Sequence, residues 1–325
     1  MIKKNCLVLC LMLIQFLNAQ DVKFGKVTKE ELLETSYSRD ESANALILYK
    51  NQQTYFQYNT TGAKLVTEIH ERIKIYNKEG FEYATQYIDL YKSSSSEEEI
   101  GRIKAFTFNL ENNEIVKTEL DKNQIFKDQI RYNYNQIKFT MPNIKEGSVI
   151  EFKYKITSPF IWNIDEFRFQ YDIPIKHIVA QISTPEGFNF KSTPKGYVPF
   201  SSRPGKSYDG GNATKYVLTH VPALKSESYV DNIDNYRAGV MFELVSINIP
   251  GVLYRDYARS WKDVAQTIGS SDDYKNKLDK TKSFNDELEA LLADKVSQTE
   301  KMKTIFSYVK ENITCLLYTS DAADD

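Results

Sequence analysis

The clearest alternation of apolar and polar residues lies near the middle of the chain, at 149–156. The even-numbered positions all hold apolar or aromatic residues, whereas the odd-numbered positions hold Val149, Glu151, Lys153 and Lys155. This period of two predicts a β-strand with one buried side. Such a strand needs neighbours, so the pattern predicts a sheet built around it.

Shorter alternating segments continue on both sides of this strand, with turn residues between them. Glu111, Asn112 and Asn113 separate two of the segments and predict a β-hairpin, because Asn tolerates left-handed turn positions. Many short strands at this spacing predict a mainly β fold, an antiparallel β-sandwich that is immunoglobulin-like in broad architecture. The other predicted strands are 54–59, 65–76, 81–91, 103–110, 114–120, 131–140, 162–171, 175–183, 188–190 and 216–220.

Helical periodicity marks the two ends of the chain. Thr28 and Glu31 have the spacing of a capping box within a short leading segment, and 44–49 is expected to be extended. Beyond Lys225 a polar connector and one apolar strand at 238–249 precede three predicted helices. The first helix has Ser260 as its N-cap candidate. The last begins at a capping box and carries an apolar stripe of Met302, Ile305, Phe306, Val309 and Ile313.

These segments carry a family resemblance. The strand motif at 142–154, together with 103–108 before it and 169–176 after it, resembles the exported bacterial domain of unknown function 3857 (DUF3857). The resemblance covers about 53–313. It implies that a transglutaminase-like domain follows, and 301–313 resembles the segment that opens such a domain.

A transglutaminase-like site needs a Cys nucleophile, a His that activates it and an Asp that orients the His. Cys315 directly follows the last helix, too early for that nucleophile. The tail 315–325 resembles the translation of a transposase-type sequencing adapter. We therefore expect the natural protein to continue beyond Thr314 and its catalytic residues to lie there. We expect no catalytic, cofactor-binding or metal-binding residues in this chain.

The amino terminus predicts export. Lys3 and Lys4 precede an apolar run up to Leu17, and Ala19 offers a small residue for cleavage, which is typical of a secretory signal peptide. An uncleaved anchor or a buried first helix is the alternative. Cys10 as a lipidated residue is disfavoured because Leu9 before it is bulky. Cleavage leaves at most one Cys, hence no internal disulfide and no thiolate cluster for zinc. With the resemblance, this predicts the periplasm or cell envelope of a Gram-negative bacterium.

The prediction divides the chain into six ranges. They are a signal peptide (1–19), a leader segment (20–52), a DUF3857-like β-sandwich (53–225), a connector with a strand (226–257), the incomplete helical start of a transglutaminase-like α+β domain (258–314) and the adapter-like tail (315–325). The net charge of −2 argues against nucleic acid as a partner, and no membrane span is expected after signal cleavage.

Several residues invite a chemical role, and each has a plainer interpretation. The three histidines, His70, His177 and His220, are far apart in sequence and have no clustered acids or cysteines, which disfavours a metal site. Adjacent residues of a strand point to opposite faces, so Asp165 and Glu166 cannot flank one bond together. A calcium site at Asp231, Asp234, Asp272 and Asp273 is disfavoured because the spacing of these residues is irregular. Trp162 beside Phe160 could form a sugar-stacking platform, but packing of both rings in the core is the plainer expectation.

Two functions stay open at this point. The first is a noncatalytic exported β domain that contacts a transglutaminase-like acyl-transfer or peptidase domain lying beyond this chain. The second is a free-standing cell-envelope module that binds a glycan or a protein. A native reading frame with Cys, His and Asp past Thr314 would support the first, and a native stop there would favour the second.

Overall fold

The computed structural model describes residues 22–59, 62–208, 210–251, 253–257, 260–278, 280 and 284–313. It divides into a β unit that ends at Asp256 and a helical unit that starts at Tyr257. The proposed signal peptide, the tail 315–325 and all three cysteines lie outside the described residues. In the part of the chain that is described, no helix is long and apolar enough to cross a membrane.

Among its described residues, the β unit contains one short α-helix and sixteen strands. The helix is α1 (Lys29–Leu33). The strands are β1 (Ala45–Asn59), β2 (Gly62–Ile75), β3 (Thr85–Tyr91), β4 (Glu99–Ile100), β5 (Lys104–Glu111), β6 (Glu114–Glu119), β7 (Ile125–Arg131), β8 (Tyr134–Thr140), β9 (Val149–Ser158), β10 (Phe167–Arg168), β11 (Ile175–Thr184), β12 (Phe188–Lys195), β13 (Ser202–Pro204), β14 (Asn212–Val221), β15 (Gly239–Ile249) and β16 (Leu253–Asp256).

The strands form three sheets. The large sheet has nine strands in the order β13-β14-β11-β1-β2-β9-β5-β6, with β4 paired beside β5 on β9. A four-stranded sheet has the order β10-β15-β12, with β16 on β15, and a three-stranded sheet has the order β3-β8-β7. The β1–β11 pair is parallel, whereas the other pairings among the described strands are antiparallel.

The main core lies between one face of the large sheet and the two smaller sheets. Ile73 and Ile150 of the large sheet, Phe139 of the three-stranded sheet and Val240 of the four-stranded sheet all belong to this one buried cluster. Two layers of sheet around a shared apolar core confirm the mainly β, sandwich-like prediction. Within it, the predicted centre strand is β9, paired with β2 and β5.

The structure corrects the prediction that β9 has only one buried side. Its even-numbered residues face the core as expected, but Val149 and Glu151 on the other face are also fully buried. The segment before β1 covers them, and Val27, Leu32 and Val149 belong to a second apolar cluster. Alternation reports only which residues share a face, so it could not reveal that a distant segment covers the second face.

The stretch 44–49 is extended as expected, but it belongs to the large sheet, because β1 begins at Ala45 within the predicted leader 20–52. All four residues from Ala45 to Leu48 are buried, which produces a continuous apolar run and no alternation for the sequence pattern to detect. The predicted strand at 162–171 is likewise reduced to β10, only Phe167–Arg168. The strand expected at 238–249 is β15, and it pairs with β12 and β10 in the four-stranded sheet.

The helical unit contains α2 (Trp261–Gly269), α3 (Asp272–Leu278), α4 (Asn285–Leu292) and α5 (Gln298–Asn312). Ser260 caps α2, and Ser297 with Glu300 forms the predicted capping box of α5. These helices at the carboxyl end of the chain confirm the predicted helical segment. None of the described residues of α2, α4 and α5 is buried.

Candidate ligand-binding cavity

A β-bulge in β1 turns a lysine toward the interior of the β unit. Ile47 pairs with Ile73 across β1 and β2, but the next pair is Tyr49 with Arg72, so Leu48 is an extra residue in β1. Without the bulge, Lys50 would point to the face opposite Ile47. With it, Lys50 lies on the core-facing side. Bulges recur next to functional sites because they redirect a side chain in this way.

Lys50 meets a carboxylate at the same position of the neighbouring strand. It is the register partner of Glu71 on β2, and Lys50 Nζ lies 2.6 Å from Glu71 Oε2. Their side chains are only 11% and 9% exposed. Burial alone would lower the pKa of Lys50, but charge interactions and hydrogen bonds with Glu71 and Tyr171 raise that pKa above its ordinary value. The Tyr171 ring centroid also lies 4.6 Å from Nζ. Lys50 and Glu71 therefore form a buried, charged pair.

This ion pair lies in the wall of a cavity of about 610 Å³. Tyr83 donates a hydrogen bond of 2.9 Å to Asp172 Oδ2, and Gln86 Nε2 donates one of 2.8 Å to the Tyr83 carbonyl. The cavity, which we call the Lys50–Glu71 cavity, is lined by Ile47, Lys50, Glu71, Ile73, Glu82, Tyr83, Thr85, Gln86, Tyr87, Phe152, Tyr154, Tyr171, Asp172 and Ile173. A concave site with apolar and aromatic walls and a few convergent polar groups is the usual form of a small-molecule site.

The groups that line this cavity suit the binding of a polar ligand. The described residues contain no cysteine, and the Lys50 ammonium is held in its charged form, so neither supplies a nucleophile. Burial raises the pKa of Tyr154, and although Lys50 opposes this effect, the hydroxyl stays protonated at neutral pH. Tyrosine rings, hydroxyls and an amide can instead stack on and hydrogen-bond to a neutral polar ligand.

On the opposite face of the large sheet, a second buried charge cluster holds the amino-terminal segment in place. Glu151 accepts hydrogen bonds from Arg72, from His70 Nε2 at 2.8 Å and from the Gly25 amide at 2.7 Å. Burial by itself would raise the pKa of Glu151, but the bonds from His70 and Arg72 outweigh it and hold this pKa below its usual range. Arg72 also binds Glu31 at 2.8 Å, so the cluster ties α1 to the sheet.

The three histidines lie on this same face but do not assemble into a metal site. The rings of His70 and His177 both contact the ring of Tyr49, at centroid distances of 5.2 Å and 5.8 Å. His220 Nδ1 lies 2.7 Å from the Tyr37 hydroxyl. Among residues 22–313 that are described, no group of three or more His, Cys, Asp or Glu is placed to hold a metal ion.

The carboxylates singled out in the sequence have different surroundings. Glu166 forms an ion pair with Lys195 at 2.7 Å, whereas its neighbour Asp165 is exposed. The two carboxylates therefore do not act as a pair. Asp234 is engaged by Arg168 at 3.2 Å and by Arg237 at 2.9 Å. Asp272 and Asp273 belong to α3, and their side chains are not among those that the structure describes.

The expectation of core packing holds for Phe160 but is wrong for Trp162. Phe160 is 7% exposed, whereas Trp162 is 58% exposed. The two rings meet edge to face at 5.9 Å beside a depression of about 430 Å³, into which the loop of Ser93, Ser95 and Ser96 also extends. The irregular backbone after β9 turns Trp162 outward, which alternation in a supposed strand could not predict.

Sequence reasoning missed the Lys50–Glu71 pair altogether. The run at 45–50 reads as an apolar strand that ends in a solvated lysine, and Glu71 lies within a strand rich in charges. Glu71 shares the inner face with Ile73 through the alternation of β2, whereas only the bulge brings Lys50 to that face. The one signal in the sequence is a charged residue, Lys50, only two positions after four consecutive apolar residues.

Comparison with known proteins gives a family and a fold. Residues 63–223 match the model of the family described as "Domain of Unknown Function with solved-structure structure (DUF3857)". No curated protein matches the chain.

Among solved structures, the chain is similar to one described as a putative protease from Parabacteroides distasonis, with 16% identity and a TM-score of 0.61. The match covers 83% of this chain and 51% of that one, so the chain spans about half the length of that neighbour. Native yeast LTA4 hydrolase also matches, with 8% identity, a TM-score of 0.31 and coverage of 64% of this chain and 30% of the hydrolase.

Proposed function

Residues 63–223 of this chain belong to the DUF3857 family, and from this premise we propose that the chain contributes a noncatalytic β domain to an exported transglutaminase-like protein. The catalytic Cys, His and Asp of that protein would lie in a further domain, past Thr314, which performs acyl transfer or peptide cleavage. The similar fold of a longer protein described as a putative protease is consistent with this arrangement. We also propose that the protein resides in the periplasm or cell envelope.

The observation that carries the proposal is the uncovered apolar side of the helical unit. Met302, Phe306, Val309 and Ile313 of the α5 stripe are between 43% and 71% exposed. An amphipathic helix draws most of its stability from burying such a stripe against another element. We propose that the further domain of the same protein supplies this partner surface.

Hydrogen exchange of α5 tests the contact. In the 325-residue chain, the amides of α5 are expected to exchange rapidly, because a helix with an unburied stripe opens at little free-energy cost. In the protein that includes the further domain, the same amides should exchange at least tenfold more slowly. Strong protection of α5 in the 325-residue chain would contradict the proposal.

The genomic sequence and an activity assay test the division of labour. Native coding sequence past codon 314 with a Cys, His and Asp set would support it, whereas a native stop codon there would refute it. The present chain is expected to show no acyl-transfer activity with an amine donor and a glutamine-containing acceptor, and no cysteine-peptidase activity. Activity from this chain alone would contradict the proposal that its β domain is noncatalytic.

As a second candidate, we propose that the domain is an envelope module that binds a neutral glycan in the Lys50–Glu71 cavity. Its support is the combination of tyrosine rings, hydroxyls and a charge pair that is already neutralised, which suits an uncharged ligand with many hydroxyls. A binding module that works by itself would need no catalytic partner.

A glycan array on the purified chain tests this second candidate. Tyr87→Ala removes a ring that lines the cavity and is 57% exposed, so it should weaken binding without unfolding the sheet. Tyr132→Ala is the matched control, because Tyr132 is 81% exposed and lies outside the cavity lining. Absence of binding on the array, or equal loss in both variants, would count against the module.

A further inference from the structure

Four basic side chains lie together on the face of the large sheet opposite the Lys50–Glu71 cavity. Lys104 of β5 and Lys153 of β9 are register partners, and Lys155 lies two residues further along β9 on the same face. Arg102 lies two residues before β5. These four residues line a groove of about 330 Å³, which we call the basic groove, together with Asn51, Gln53, Glu68, Ile69, His70 and Tyr154.

The positive charge of this groove is only partly compensated. Glu68 is the one carboxylate in its described lining, and it accepts a hydrogen bond of 2.9 Å from the Tyr55 hydroxyl. Arg102 approaches Glu119 at 3.8 Å, and both side chains are largely exposed. Among the described residues, no carboxylate lies within 4.0 Å of the ammonium groups of Lys104, Lys153 and Lys155.

The neighbours of Lys153 and His70 hold these two side chains in position without neutralising the lysines. Lys153 Nζ lies over the Phe24 ring, 4.4 Å from its centroid, which holds the ammonium without neutralising it. His70, at the floor of the groove, is hydrogen-bonded to the buried Glu151, whose charge is in turn occupied by Arg72 and Gly25. The buried Glu151 is therefore already engaged and does not serve as the counterion for the lysines.

Such an arrangement costs stability in the free protein. Side chains directly opposite each other on antiparallel strands are close neighbours, and like charges at that position destabilise the sheet. The chain as a whole has a net charge of −2, so the groove is a local concentration of one sign rather than a general property of the surface. An anion in the groove would remove the repulsion and add charge-assisted hydrogen bonds.

We propose that the basic groove is a binding site for a multiply charged oxyanion, such as the phosphate group of a phosphorylated ligand. Lys104 and Lys153 supply point charges from two adjacent strands, and Arg102 supplies a planar donor that matches two oxygens of one tetrahedral anion. Asn51 offers an amide donor to the part of the ligand next to that group, and Gln53 Nε2 orients the Asn51 side chain by donating to its Oδ1 at 2.6 Å. Among the described lining residues, the basic groove shares only Tyr154 with the Lys50–Glu71 cavity.

Titration with inorganic phosphate at low ionic strength tests the proposal in the full chain. Phosphate is expected to bind and to raise the thermal midpoint, because it binds only the folded state. Lys104→Gln and Lys153→Gln should each weaken phosphate binding at least fivefold, and together at least twentyfold. Lys191→Gln removes the same charge from β12 of the four-stranded sheet and should change the affinity less than twofold.

The stability of the variants without phosphate separates a binding role from a structural one. Lys104→Gln should leave the thermal midpoint unchanged or raise it, since it relieves the repulsion with Lys153. A lower midpoint would show that Lys104 stabilises the sheet by itself and would overturn the proposal. Phosphate affinity unchanged in the double variant, or lowered equally by Lys191→Gln, would also overturn it.

Further ligands define the chemistry and the source of the anion. Sulfate should also bind, and acetate should bind at least tenfold more weakly than phosphate. Equal affinities for acetate and phosphate would refute the proposal that the ligand is multiply charged. Cosedimentation with phosphatidylglycerol vesicles, but not with phosphatidylcholine vesicles, would assign the anion to a lipid headgroup. Binding of inorganic phosphate without vesicle binding would assign it to a soluble phosphorylated compound.

Discussion

Removal of the charge of either Lys50 or Glu71 leaves the other charge largely buried and without its partner. Breaking a buried pair by removing one partner costs about 3–5 kcal/mol, whereas replacing both with apolar residues is often close to neutral. The pair is 11% and 9% exposed and borders a cavity, so we expect the lower end, about 3 kcal/mol, for Lys50→Met or Glu71→Leu. The double variant should lie within about 1 kcal/mol of the parent chain.

Urea denaturation followed by circular dichroism measures these differences, with thermal melts beside it. A loss of about 3 kcal/mol corresponds to a fall of roughly 6–12 °C in the thermal midpoint of a domain of about 150–250 residues. The pairwise interaction energy from the four proteins should exceed about 2 kcal/mol, well above the scatter for independent sites.

The chain offers a matched control for this experiment. Lys145 and Glu111 are also 2.6 Å apart, but their side chains are 53% and 39% exposed. An exposed pair contributes about 0–1 kcal/mol, so Lys145→Met should change little. Equal losses for Lys50→Met and Lys145→Met, or an interaction energy below about 0.5 kcal/mol for the inner pair, would refute the claim that burial decides the effect.

Three further outcomes are expected. Burial lowers the pKa of Lys74 to about 8, so between pH 8 and about 10.4 the unfolded chain holds a proton that the folded chain has lost. The free energy of unfolding should therefore rise with pH in that window. Urea melts of Lys74→Met should show a smaller rise. Glu151→Ala leaves Arg72 without its buried partner, so it should cost about 3–5 kcal/mol and open 22–34 to limited proteolysis; an unchanged digestion pattern would contradict the role given to this cluster. Expression in a Gram-negative host should yield a periplasmic product that starts at Gln20, and an uncut cytoplasmic chain would show the signal-peptide prediction to be wrong.

Local signals in the sequence were sufficient for much of the architecture. The hairpin turn expected at Asn112 and Asn113 does place both residues at positive φ, 49° and 63°. The capping boxes at Thr28 and at Ser297 form as their spacing predicts. Each of these features depends on interactions within three or four residues, which a single sequence displays directly.

The candidate site depended on contacts that no local pattern contains. Lys50 reaches Glu71 across 21 positions, and Arg72 reaches Glu151 across 79. The first contact requires a bulge at Leu48, and the second is buried only because the segment before β1 folds over the sheet. The bulge shifts the alternation of β1 by one residue, whereas the cover leaves the alternation of β9 unchanged, so a prediction that assumes an unbroken period of two reveals neither.

By itself, the sequence determined the mainly β class, the inner face of β9, the helix caps and the helices at the carboxyl end, because hydrophobic periodicity and capping are short-range effects. Tertiary structure alone decided which charges are buried and which are grouped. It paired β1 with β11 in parallel, brought Lys104 opposite Lys153, and turned Lys50 inward. Strand order and register are set by packing across the whole chain, so the chemistry of both faces follows from the assembled sheet.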